Sequence, residues 1–196
     1  MRVDAQTGET TFLTPLPGTD GSFPRFDFSR DGKTIFFTGD LSLAARDLQS
    51  GRDTTLLRRP TGVSSVSVSP DGRQLLVVGK RDTSQVLLVM PATGGDVREL
   101  VSIDGEEANY RAAPVWTPDG RHVLFVKGLR GHATRNVQLW RVAVEGGEPT
   151  PVGLTVDELW WMRLHPDGRR VALGAWQSTS EVWVMENFLS VAKKSK

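Results

Sequence analysis

Four aspartates, Asp31, Asp71, Asp119 and Asp167, recur at intervals of 40, 48 and 48 residues (71 − 31, 119 − 71, 167 − 119). Each is followed by a glycine and then a cation, as Gly32-Lys33, Gly72-Arg73, Gly120-Arg121 and Gly168-Arg169. Four equivalent carboxylates could be a metal ring, and four equivalent cations an anion-binding rim. Calcium, however, gathers 6–8 oxygens at about 2.3–2.6 Å. Carboxylates carried on separate sheets about 10 Å apart cannot converge that closely. Asp-Gly inside a short polar stretch is turn chemistry: the carboxylate bonds nearby backbone and the glycine supplies a positive φ. These eight residues are therefore assigned to turns, and the cations to a solvated rim that protects the hairpins from edge pairing.

The remaining chemistry is sparse. Gly32-Lys33-Thr34 resembles the end of a phosphate-binding loop, but that motif needs a glycine five residues before Gly32, where Asp27 stands. His122, His132 and His165 lack the three-to-five-residue spacing of a zinc signature. There are no cysteines, so thiol nucleophiles and disulfides are excluded. No Gly-x-Ser-x-Gly elbow occurs. No catalytic residue, metal or cofactor is assigned, and the expectation is a protein that is not an enzyme.

The elements around the turns are strands. The turns read Ser29-Arg30-Asp31-Gly32, Ser69-Pro70-Asp71-Gly72, Thr117-Pro118-Asp119-Gly120 and His165-Pro166-Asp167-Gly168. Three residues before each Asp stand Phe28, Val68, Trp116 and Leu164, and five before stand Phe26, Val66, Pro114 and Met162. That alternation predicts a strand with one buried face. Each turn leads into an apolar run, such as Leu75-Leu76-Val77-Val78, that suits a strand covered on both faces. A second hairpin follows, ending in a Gly turn such as Gly94-Gly95 or Gly146-Gly147. The unit is thus four antiparallel strands with a period of propeller-blade length. One such sheet cannot bury both faces alone, and blades packed around an axis can.

The predicted fold is an all-β propeller: a half blade over 1–16, blades over 22–59, 62–102 and 111–154, and a blade lacking its outer strand over 158–190. The third strand of the unit recurs at both ends, which favours part of a six- to eight-bladed ring, with open edges available for self-association, over a four-bladed ring completed by an N-terminal strand.

Function is expected on the links that run from the outer strand of one blade to the inner strand of the next. The link over 103–113 carries Glu106, Glu107, Asn109, Tyr110 and Arg111; Arg25 takes the equivalent place in the first blade, and Trp160 with Trp161 in the last. Loops carry function more often than cores, and tryptophan is a strong interface anchor. Strict alternation would turn one of the two tryptophans into the blade core. Partner binding is assigned to Arg25, Glu106, Glu107, Asn109, Tyr110, Arg111 and Trp160.

Composition narrows the partner. The 24 basic residues nearly balance 23 acidic ones, giving a net charge of +1, whereas nucleic-acid binders show a clear basic excess. No apolar run reaches the ~20 residues of a membrane span. The first residues lack the apolar core of an export signal. A protein or peptide partner is expected, with neither nucleic acid nor direct membrane insertion.

The Ser/Thr-Pro-Asp-Gly-Arg turn followed by an apolar strand resembles the WD40-like (PD40) repeat of TolB-like propellers. The ending Glu181-Val182-Trp183-Val184-Met185-Glu186-Asn187-Phe188-Leu189 is similar to the C-terminus of bacterial proteins joining a serine/threonine kinase or winged-helix regulator to such a propeller. The resemblance implies a binding or sensing module of a signalling protein, periplasmic or extracytoplasmic if anchored in a membrane and cytoplasmic otherwise. The same repeat occurs in prolyl-oligopeptidase-like peptidases, where the propeller gates substrate entry; that is the alternative.

Overall fold

A computed structural model describes residues 2–3, 6–11, 25–39, 41–108, 112–128, 136–157 and 159–175. All regular structure among them is β. No helix among them is long and apolar enough to cross a membrane.

Among the described residues sixteen strands form five antiparallel sheets. A short pair comprises β1 (Arg2–Val3) and β2 (Thr10–Thr11). Blade 1 contains β3 (Phe26–Phe28), β4 (Thr34–Gly39), β5 (Ser42–Asp47) and β6 (Asp53–Arg58). Blade 2 contains β7 (Val63–Val68), β8 (Gln74–Arg81), β9 (Ser84–Pro91) and β10 (Arg98–Ile103). Blade 3 contains β11 (Val115–Trp116), β12 (His122–Lys127), β13 (Val137–Ala143) and β14 (Thr150–Val156). Blade 4 contributes β15 (Leu159–Leu164) and β16 (Val171–Ala175). Strands within each blade pair in chain order, as a meander.

Period-two alternation explains the packing. In β8, Leu75 and Val77 face blade 1 while Leu76 and Val78 face blade 3. In β9, Val86, Leu88 and Met90 take the first side, and Leu87 and Val89 the second. A continuous apolar run is thus two half-cores back to back. Blades 3 and 4 meet the same way, through Leu124, Val126, Leu139, Leu159 and Met162.

Blade 1 departs from the expected burial. Val66, Trp116 and Met162 are buried, but Phe26 and Phe28 are 53% and 44% exposed. The buried equivalents face the preceding blade, and no described four-stranded sheet precedes blade 1. The two rings pack edge to face on each other, with centroids 6.0 Å apart.

The turns are built alike. Gly72 N–H donates to the Ser69 carbonyl at 2.9 Å, and Gly72 has φ +78°. The Ser69 hydroxyl donates to Asp71 Oδ1 at 2.6 Å and accepts from Gln74 N–H at 2.9 Å. Arg73 N–H donates to Asp71 Oδ1 at 3.0 Å. Ser29 with Asp31, and Thr117 with Asp119, repeat the set. In the fourth turn His165 replaces the hydroxyl, and its Nδ1 lies 3.0 Å from Asp167 Oδ1.

These bonds hold the turn carboxyls below the ordinary Asp value. The hydroxyl donor is the main cause at Asp31, Asp71 and Asp119, and the Arg169 N–H at Asp167. A folded pKa below the unfolded ~3.9 adds stability above that pH, lost as pH falls through the folded value. The urea midpoint should therefore be flat from about pH 7 to 5 and fall below about pH 4. Asp71→Asn should flatten part of that fall; an unchanged acid limb would contradict the assignment.

Candidate functional site at the inner strands

The inner strands β3, β7, β11 and β15 bring residues from all four blades to one cavity of about 500 Å³. Its polar wall includes Arg25 and Asp27 from blade 1, Ser65 and Ser67 from blade 2, and Arg163 from blade 4. Residues 113–115, Ala-Pro-Val, give it an apolar stretch at blade 3. Residues four and six positions before each turn aspartate supply most of this lining, because those positions share one side of each inner strand.

Two of the inner-strand groups stitch the blades together. Asp27 accepts the Phe28 N–H on one carboxylate oxygen and, across the blade boundary, the Val68 N–H on the other, both at 2.8 Å. This carboxylate is therefore an interblade strut. Trp116 Nε1–H donates to the Ser67 carbonyl at 3.2 Å across the next boundary. Sequence reading missed Asp27 as a strut and missed the shared cavity; the signal available was equivalence of position relative to each turn.

The arginines differ from Asp27. Arg25 is exposed, and its carbonyl accepts the Thr38 N–H at 3.1 Å. Arg163 is also exposed, and its Nη1 donates to the Met162 carbonyl at 3.0 Å. No ion pair joins either guanidinium to a carboxylate among the described residues. The wall thus presents two cations against one carboxylate already engaged by backbone.

The tryptophan pair does not obey strict alternation. A register shift between Leu159 and Trp161 inserts one residue into β15. Leu159 and Met162 are buried, and Trp160 and Trp161 stay 46% and 49% exposed. Trp161 lies opposite Gly174, and its indole occupies the space that a Cβ there would fill. The expectation that one of them turns inward is corrected by this bulge.

The 103–113 link lies elsewhere. Glu106 N–H donates to Asp104 Oδ1 at 2.9 Å, and Glu106 is exposed. Glu107 is 3.9 Å from Lys127 Nζ, and its carbonyl accepts the Gly128 N–H at 2.8 Å. Lys127 also sits over the Trp140 ring, 4.7 Å from its centroid. Neither Glu106 nor Glu107 lines the inner-strand cavity. Asn109, Tyr110 and Arg111 lie outside the described residues.

On the turn side, Arg73 and Arg121 line a second hollow of about 560 Å³ together with Asp71 and Glu145. That rim is mixed in charge. The turns also touch in series: Arg30 packs toward Gly72, Pro70 toward Gly120 and Pro118 toward Gly168. Among the described residues no group of three or more His, Asp or Glu is placed to hold a metal ion.

No family model matches this chain, and no curated protein matches it. Solved structures do. TolB from Acinetobacter baumannii superposes with a TM-score of 0.63 at 20% identity, over 80% of this chain and 38% of that one. A chain of a nidogen/laminin complex gives 0.58 at 15% identity, over 76% and 55%. Acylaminoacyl peptidase gives 0.56 at 18% identity, over 78% and 27%. The chain therefore spans little more than a third of that TolB. At these identities the likeness shows the fold alone, part of a β-propeller of four-stranded blades.

Proposed function

We propose that this chain is a non-enzymatic propeller module that binds a protein or peptide, the sensor or scaffold part of a larger bacterial signalling protein. The observation that carries the reading is the pair of exposed tryptophans on β15, the strand that also brings Arg163 to the inner-strand cavity. Large aromatics and arginine are the residues from which interface anchors are made. The turn sequence supports membership of the PD40 repeat group. In a membrane-anchored sensor the module would lie outside the cytoplasm. The exposed Phe26 and Phe28 add a second apolar surface, suited to self-association.

A photo-reactive residue at position 160, introduced in cells carrying the protein, tests this. Position 152 on the outer strand β14, also exposed, is the control. One discrete covalent adduct from 160 and none from 152 is expected. Equal adducts from both, or none from 160, would defeat the reading.

The alternative, an accessory propeller of a serine peptidase, draws support from the likeness to acylaminoacyl peptidase. It requires a hydrolase domain with a Gly-x-Ser-x-Gly elbow in the same polypeptide.

A further inference from the structure

From the inner-strand cavity we infer a binding site for a small organic dianion, a short dicarboxylate held at its two ends by Arg25 and Arg163. The inference rests on the cavity's chemistry and not on the partner-binding reading above.

The two guanidiniums come from the first and the last described blades and line one space of about 500 Å³. Neither is paired with a carboxylate among the described residues. Asp27, the carboxylate on this wall, already accepts two backbone N–H groups at 2.8 Å and is held within the blade boundary. The cavity therefore has two guanidiniums that no carboxylate among the described residues pairs with, and a carboxylate whose oxygens are in use. A guanidinium offers a planar fork of donors that matches a carboxylate. Two cations that enter one space from separate blades suit a ligand with a charge at each end.

The rest of the lining suits the middle of such a ligand. Ser65 and Ser67 bring hydroxyls. Residues 113–115 bring a methyl group, a pyrrolidine ring and an isopropyl group, which complement a short hydrocarbon spacer. A site with a few convergent polar groups and an apolar wall has the usual make-up of a small-molecule pocket.

Isothermal titration of the whole chain with glutarate, butyrate and inorganic phosphate tests this, at low salt because exposed cations are screened. Glutarate should saturate, with butyrate and phosphate at least ~10-fold weaker, since a charged hydrogen-bonded contact is worth about that much or more. Arg25→Gln and Arg163→Gln should each reduce glutarate binding to the butyrate level. Arg73→Gln, a turn-side cation, should leave it unchanged. Both cavity arginines are exposed, so the variants should keep the wild-type melt, and this is checked alongside. Absence of saturable glutarate binding in the millimolar range would overturn the inference. So would unaltered binding in either cavity variant, or an equal loss in Arg73→Gln. Glutarate titration of a Trp160→Ala chain separates the two readings, because Trp160 does not line this cavity. Intact glutarate binding there is expected, whether or not position 160 forms its adduct in cells. Glutarate binding lost with the wild-type melt retained would overturn a site built on Arg25 and Arg163.

Discussion

Trp116→Ala should lower stability by about 3–5 kcal/mol, the range for deleting a large buried aromatic. Trp116 is 7% exposed and sits between blades 2 and 3 with Leu76, Val78, Phe125 and Val142. It also ties the boundary polarly, through Nε1–H to the Ser67 carbonyl. Trp116→Phe separates the contributions: it keeps most of the apolar contact and removes the donor. That variant should lose about 1–2 kcal/mol, the cost of one hydrogen bond plus a small cavity. Urea unfolding followed by far-UV circular dichroism reads both. A loss below about 1 kcal/mol in Trp116→Ala would mean that these blades do not pack face to face.

Leu75→Ala is expected to cost about 2–5 kcal/mol. Leu75 is fully buried on the face of β8 turned to blade 1, beside Phe36, Leu43, Val66 and Leu88. Phe26→Ala removes a larger side chain from the inner strand of blade 1, yet Phe26 is 53% exposed and should cost well under 1 kcal/mol. The ranking, a smaller deletion costing more than a larger one, follows from which side of each blade has a neighbour. The reverse ranking would place blade 1 against a different surface. The sites lie at different blade boundaries with no shared partner, so Trp116→Ala and Leu75→Ala should add to within about 0.5 kcal/mol.

The blade architecture was legible in the sequence because two local signals repeat together. Period-two alternation such as Phe26 and Phe28, or Val66 and Val68, fixes an inner strand, and the apolar run after each Asp-Gly turn fixes its neighbour. What alternation could not supply was the exception. The extra residue in β15 changes the facing of Trp160, and no residue in Leu159-Trp160-Trp161-Met162 announces a bulge. The exposure of Phe26 and Phe28 depends on what precedes blade 1, a tertiary fact beyond the strand's own pattern.

The candidate site was less legible. Arg25 stands on a link and lines the inner-strand cavity, but its companions there include Ser67 of blade 2 and Arg163 of blade 4. These lie more than 40 residues from Arg25 in sequence, and only the closing of blades about an axis brings them together. Glu106 and Glu107 share the link type with Arg25, yet Glu107 is drawn to Lys127 at the end of β12. Position on a link is therefore a weak guide; position relative to the repeated turn is a better one, because it fixes both depth and side of the strand.

The blades wrap an axis and so bring Arg25 and Arg163 to one cavity. The chain has no cysteine, so a pair introduced as Arg25→Cys and Arg163→Cys can be spin-labelled cleanly and measured by dipolar electron paramagnetic resonance. Sheets stacked in a line lie about 10 Å apart, which would separate the first and fourth inner strands by about 30 Å. Wrapping around an axis predicts a single narrow distribution centred below about 25 Å. A centre at or beyond about 30 Å, or a breadth covering both values, would contradict the account.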